Sequence, residues 1–146
     1  MRPFHFSLEQ VLGYRKQLEE QAMLVFAQAV QARDKRLLEK RRYEAEIEKS
    51  RARLADISTL DADERWLISG YITAMTHDLE RALRDLAVLE EDVDRCRAEL
   101  TQRAQDRKLL EKLKEKQAKR HTMAENYKEQ QNYDDIATIR FTPPAF

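Results

Sequence analysis

From Ile68 onward the chain carries an unbroken apolar seam: Ile68, Ile72, Met75, Leu79, Ala82, Leu86, Leu89, Val93, Cys96 and Leu100 follow one another in alternating steps of four and three. Apolar side chains recurring every ~3.5 residues give a helix a narrow stripe, which it buries against another helix. So narrow a stripe builds a rod and not the core of a globular enzyme.

The first half repeats the spacing less cleanly, at Leu8, Val11, Leu18, Ala22, Val25, Ala29 and Ala32, then Tyr43, Ile47, Leu54 and Ile57. Arg15 and Arg36 fall on the seam, where their aliphatic stems can pack while their heads reach water. Between the halves lies Ser58-Thr59-Leu60-Asp61-Ala62-Asp63-Glu64, in which Asp61 and Glu64 have the spacing of a capping box. This predicts an all-α fold, a long antiparallel two-helix coiled-coil hairpin. Its helices cover about 7–57 and about 62–131, with a turn near 58–62 and a flexible tail over about 132–146, all one domain. A single unbroken helix is the alternative, and the seam's loss of phase near residue 58 counts against it.

Composition agrees. Charged residues make up 37% of the chain, and the only glycines are Gly13 and Gly70. Pro3, Pro143 and Pro144 all lie in the terminal segments, so the punctuation that strands and tight turns require is missing between residues 14 and 69. The 27 basic and 27 acidic side chains cancel, leaving no whole-molecule field to select nucleic acid. One cysteine cannot form an internal disulfide, no apolar run approaches the ~20 residues of a membrane span, and no signal-peptide core precedes residue 20. A cytoplasmic helical protein is the expectation.

At ~1.5 Å per residue the two helices would measure ~75 Å and ~105 Å. Pairing outward from the turn sets Ile47 near Met75 or Leu79, Ala29 near Cys96 and Val11 near Leu113, and leaves the second helix without a partner beyond about Ala118. Residues 22–30 are apolar nearly all round. With Ala22, Val25 and Ala29 on the seam, Met23, Phe26 and Val30 form a second stripe, continued by Leu37, that faces either a wide seam or another chain. Trp66 and Tyr71 flank the seam just after the turn, as a local plug or as interface anchors.

Chemistry-bearing constellations are not found. His5, His77 and His121 are far apart and lack ligands at metal-binding spacing. His5 is assigned to a flexible N-terminal segment and the other two to solvated helix faces. Cys96 sits on the seam as a small buried hydrophobe. The acids read as solvated faces, with pairs such as Glu80–Arg84 and Glu91–Arg95 at i, i+4. No catalytic residue, cofactor, metal or small-molecule substrate is expected. The run from Arg107 to Arg120 is locally basic, suited to a solvated face, to an acidic partner or to an anionic membrane surface.

Two segments carry a family resemblance. Phe4-His5-Phe6-Ser7-Leu8-Glu9-Gln10-Val11-Leu12-Gly13-Tyr14-Arg15, followed by Leu18-Glu19-Glu20-Gln21-Ala22, resembles the N-terminal pattern of the bacterial flagellar export protein FliJ family, and Lys108-Leu109-Leu110-Glu111-Lys112-Leu113-Lys114-Glu115-Lys116 is similar to its second signature. The resemblance implies a non-enzymatic hairpin acting as central stalk of the flagellar type III export apparatus. Its partners would be the hexameric export ATPase, the cytoplasmic domain of the export gate and the export chaperones. It would sit in the cytoplasm, peripherally associated with the inner face of the cell membrane. Placed on this chain, the ATPase contact falls to Phe4, Phe6, Leu8, Val11, Leu12, Arg15, Leu110, Lys112, Leu113 and Lys116, and the gate contact to Trp66 and Tyr71. A generic coiled-coil scaffold or a membrane-surface tether is the alternative.

Overall fold

The computed structural model describes residues 2–56, 60–141, 143 and 145. Two long helices, α1 (Glu9–Ala55) and α2 (Ala62–Arg140), form an antiparallel hairpin. The predicted turn falls partly on residues 58 and 59, which lie outside the described ones. On its far side the Asp61 carboxylate caps α2, accepting the Glu64 backbone N–H at 2.8 Å, while its carbonyl accepts from Arg65 N–H at 3.1 Å. Asp63 and Glu64 add negative charge at the positive end of the helix.

The far end of α2 departs from expectation. Residues 132–140, assigned to a flexible tail, continue the helix to Arg140. The segment contains no glycine or proline, and side chains bridge successive turns: Gln130 donates to Asp134 at 3.0 Å and Thr138 to the Asp134 carbonyl at 2.8 Å. The helix ends instead at Arg140, three residues before Pro143, whose missing N–H cannot continue it.

By packing, the chain divides into two compact units: Glu20–Thr101, and Met1–Glu19 together with Gln102–Phe146. In the first, every α2 seam residue from Ile68 to Leu100 is buried or half-buried, with Ala82 and Val93 sealed completely. Register is antiparallel: as the α1 partner moves from Glu46 to Arg36, Arg33 and Phe26, its α2 partner moves from Tyr71 to Asp85, Glu90 and Arg97.

The α1 side corrects the sequence reading. Ala22, Phe26, Ala29, Arg33, Arg36, Lys40, Tyr43 and Ile47 hold the inward positions, whereas Val25 and Ala32 are exposed. Phe26, Val30 and Leu37, read as a second stripe, are half-buried, and the Arg97 guanidinium lies over the Phe26 ring at 5.7 Å. An apolar run on all sides cannot choose its own phase; the partner helix chooses it. The anticipated pairs within α2 also shift: Arg95 bonds Asp92 at 2.9 Å, and Glu80 lies beside His77 at 3.9 Å.

The second unit is packed differently. Phe6, outside the helix, is 3% exposed and Leu12 is 1% exposed. Glu19, 7% exposed, accepts from Arg107, which also bonds Glu111 at 2.6 Å. Those two carboxylates, Glu19 first, hold the Arg107 guanidinium above its ordinary pKa. Arg15 meets Asp106 at 3.4 Å and Lys114 meets Glu9 at 2.8 Å. The Lys114 ammonium, chiefly through this bond, lowers the Glu9 carboxyl below its ordinary range.

Here the N-terminal segment is docked, not flexible. The Phe4 ring lies 5.7 Å from that of His121, and the His121 ring nitrogen Nε2 is 2.7 Å from the Arg2 carbonyl. His121 is therefore half-buried rather than on a solvated face, and α2 has cover past Ala118, as far as Glu125. Val11 and Leu113, expected to pair, both flank the seam, because Leu12, Leu110 and Lys114 take the inward positions.

Candidate interaction surfaces

Among the described residues the two units show grooves along their helices, with no cluster of catalytic groups converging in them. Among the described residues no set of three His, Cys, Asp or Glu side chains is placed to hold a metal ion. Cys96 is a free thiol buried on the seam. Among the described residues no helix is long and apolar enough to cross a membrane. What the molecule offers is surface.

In the unit containing both chain ends, the ten residues assigned to an ATPase contact separate into two groups. Phe6 and Leu12 are core, Arg15 is tied to Asp106, and Phe4 and Leu110 are half-buried. These five contribute to the packing of the unit. Leu8, Val11, Lys112, Leu113 and Lys116 are exposed.

The basic run also separates. Arg107 and Lys114 face α1 and are neutralised there, while Lys108, Lys112, Lys116 and Arg120 face solvent. Their spacing of four residues puts them on one face of α2, and that face includes Leu109, 67% exposed.

In the other unit Trp66 is 76% exposed, which counts against a ring closed over the turn and leaves its face open to solvent. Leu67 beside it is exposed as well. Tyr71 is aimed by its hydroxyl, which donates to Glu46 at 3.2 Å, and partial burial followed by this bond raises its pKa. A shallow groove beside these rings is lined by Glu46, Lys49, Ser50, Arg53, Leu67, Ile68 and Tyr71. Gly70, one turn beyond Trp66, has nothing near the space a Cβ would fill.

Of the second stripe, Met23 stays exposed, joined by Leu24 and Val25. Leu24, Leu67 and Leu109 were not singled out from the sequence. Each lies off the seam, and periodicity ranks only the buried face.

The family model for the flagellar FliJ protein matches residues 4–144. The solved structure of a putative YscO homolog from Chlamydia trachomatis has a TM-score of 0.54 to this one, with 94% of each chain covered and 18% identity, a likeness of fold. A search of curated proteins returned no match. The chain belongs to the flagellar FliJ family, and is accordingly a component of the flagellar protein-export machinery.

Proposed function

We propose that this chain is the non-enzymatic central stalk of the flagellar type III export apparatus, contacting the hexameric export ATPase, the export gate and the export chaperones. The observation that carries this is a match over residues 4–144 to a family of export components, on a two-helix hairpin whose surfaces are exposed rings and charge rather than a cleft. A stalk needs stiffness and separate faces for separate partners; helices of 47 and 79 residues supply the first.

The ATPase contact is assigned to Leu8, Val11, Lys112, Leu113 and Lys116. Phe4, Phe6, Leu12, Arg15 and Leu110 hold that surface in place from beneath. Trp66 is the gate anchor: a large ring exposed without a structural role is the kind of side chain that carries interface energy, commonly ~2 kcal/mol or more on truncation. Tyr71 supports it from the adjoining turn. Working there, the protein sits on the cytoplasmic side of the cell membrane at the flagellar base.

Co-purification with the export ATPase, and stimulation of its hydrolysis, tests the reading. Lys112→Glu with Lys116→Glu should weaken binding and make what remains less salt-sensitive, because exposed charges are screened within ~8–10 Å at moderate salt. A chain that neither binds nor stimulates the ATPase is a generic scaffold or tether instead.

A further inference from the structure

We propose that the last turns of α2 form an antiparallel pair with the same turns of a second copy of this chain, Tyr133 packing on the partner's Ile136 and Glu129 meeting the partner's Arg140. Glu129, Tyr133, Ile136 and Arg140 follow one another in steps of four, three and four, the spacing that keeps side chains on one stripe of a helix. From Asn126 to Arg140 every residue is exposed, Tyr133 at 68% and Ile136 at 45%. Among the described residues nothing covers this stretch. A bare helix of this length is marginal in water, because most helical stability in proteins comes from packing. The stripe is a surface without its partner.

Charge identifies that partner. Lys128 pairs with Glu125 at 3.8 Å, whereas Glu129 and Arg140 make no ion pair among the described residues. They stand at the two ends of the stripe, with the apolar pair between them. Two copies laid antiparallel about a twofold axis between Asp134 and Asp135 set Glu129 against Arg140 and Tyr133 against Ile136, each contact occurring twice. A parallel pair would instead set acid against acid and base against base. At 3.6 residues per turn Asp134 and Asp135 fall on the far side of α2, so no acids meet at the axis.

Other occupants fit less well. With one acid and one base the stripe presents no net charge to an acidic or a basic partner, while two copies of it are complementary. Nor does a whole-molecule field hold copies apart, since the chain's 27 basic and 27 acidic side chains cancel. The paired stretch is only ~17 Å long, so the interface is small and the dimer weak and reversible. None of its four residues belongs to the ATPase or gate contact assigned above. The pairing goes beyond the stalk reading, because it needs no export partner.

Sedimentation equilibrium of the full chain, from low to high micromolar concentration, is the test. The mass is expected to rise from monomer to dimer and to stop there, because a twofold interface closes on itself. Tyr133→Ser with Ile136→Ser should leave the chain monomeric throughout. Leu24→Ser, replacing an apolar side chain of the other unit that is 65% exposed, should leave the dimer unchanged. Arg140→Glu should raise the dissociation constant roughly tenfold, since the symmetry alters two contacts at once. Adding Glu129→Arg to it exchanges the two charges and should restore the original value. Circular dichroism establishes that each variant stays helical. A chain that is monomeric at every concentration overturns the proposal, as does a dimer that survives Tyr133→Ser with Ile136→Ser or is lost equally with Leu24→Ser. So does a charge exchange that fails to recover what Arg140→Glu loses, because the antiparallel register requires that recovery. Each of these outcomes leaves the stalk reading standing.

Discussion

Along α2, the seam from Ile68 to Leu100 is apolar at every position, whereas from Arg103 to His121 the same spacing is kept by Arg103, Arg107, Leu110, Lys114, Gln117 and His121. The first stretch belongs to the unit Glu20–Thr101, the second to the unit holding both chain ends. A helix turns its inward positions toward a partner whatever their polarity, but what makes the position favourable changes. Apolar burial stabilises by about 25 cal/mol per Å² removed from water and needs no particular partner. A charged seam residue needs a carboxylate at the right register. It returns only ~0–1 kcal/mol when solvent reaches it, as at Arg15–Asp106. The charged unit therefore depends disproportionately on two apolar anchors, Phe6 and Leu12.

The largest effect should come from removing one of them. Leu12→Ala is expected to cost about 2–3 kcal/mol, toward the lower end of core truncations because a two-helix seam can partly collapse. The loss should appear as faster amide exchange around residues 9–19 and 103–121, with residues 68–96 protected as before. Val93→Ala should show the reverse distribution.

Glu19→Ala comes next, at about 1.5–3 kcal/mol, because it removes a charge-assisted bond from a buried carboxylate. Arg107 retains Glu111, which limits the loss. Thermal melts of Glu19→Ala, Glu111→Ala and the double variant would measure how the two acids share the guanidinium. Strict additivity would show that they do not form one network.

A gain is expected from glycine. Gly70 is helical and exposed, with open space where its side chain would be, so Gly70→Ala should raise stability by about 1 kcal/mol. A melting temperature that fails to rise would mean the Cβ meets something.

A smaller, pH-dependent effect belongs to Glu9. Its folded pKa lies below the ordinary carboxylate value through its bond with Lys114, so its contribution is complete above that ordinary value and is lost as the pH falls through the lowered one. Acid titration should loosen the start of α1 in the native protein and less so in Lys114→Met. The smallest effect is Trp66→Ala, expected to change stability by less than about 0.5 kcal/mol while reducing gate binding. A large drop in melting temperature would restore its role as a plug.

The same contrast explains what could be read from the residues alone. The α2 seam to Leu100 was legible because every member is apolar, and the Asp61 cap because its spacing is local. The α1 seam was only half legible. Glu19, Arg33 and Lys40 hold inward positions that a hydrophobic pattern scores as gaps, and the alanine-rich stretch around Phe26 satisfies several phases at once. Phe6 and Leu12 drew notice for family resemblance, and their burial became evident only when the N-terminal segment was seen against α2. The last helical stretch, to Arg140, has no buried face at all, so periodicity carried no information about it. Nor could spacing tell which lysines of the basic run would be consumed by α1.

One unit is held by an apolar seam and the other by ion pairs around two anchors. Hydrogen exchange of the full chain at low ionic strength and again near 1 M salt, where screening shortens to about 3 Å, tests this most directly. The prediction is a selective loss of protection in residues 9–19 and 103–121, while residues 68–96 hold or gain. Equal changes in both stretches, or a loss confined to the apolar one, would contradict it.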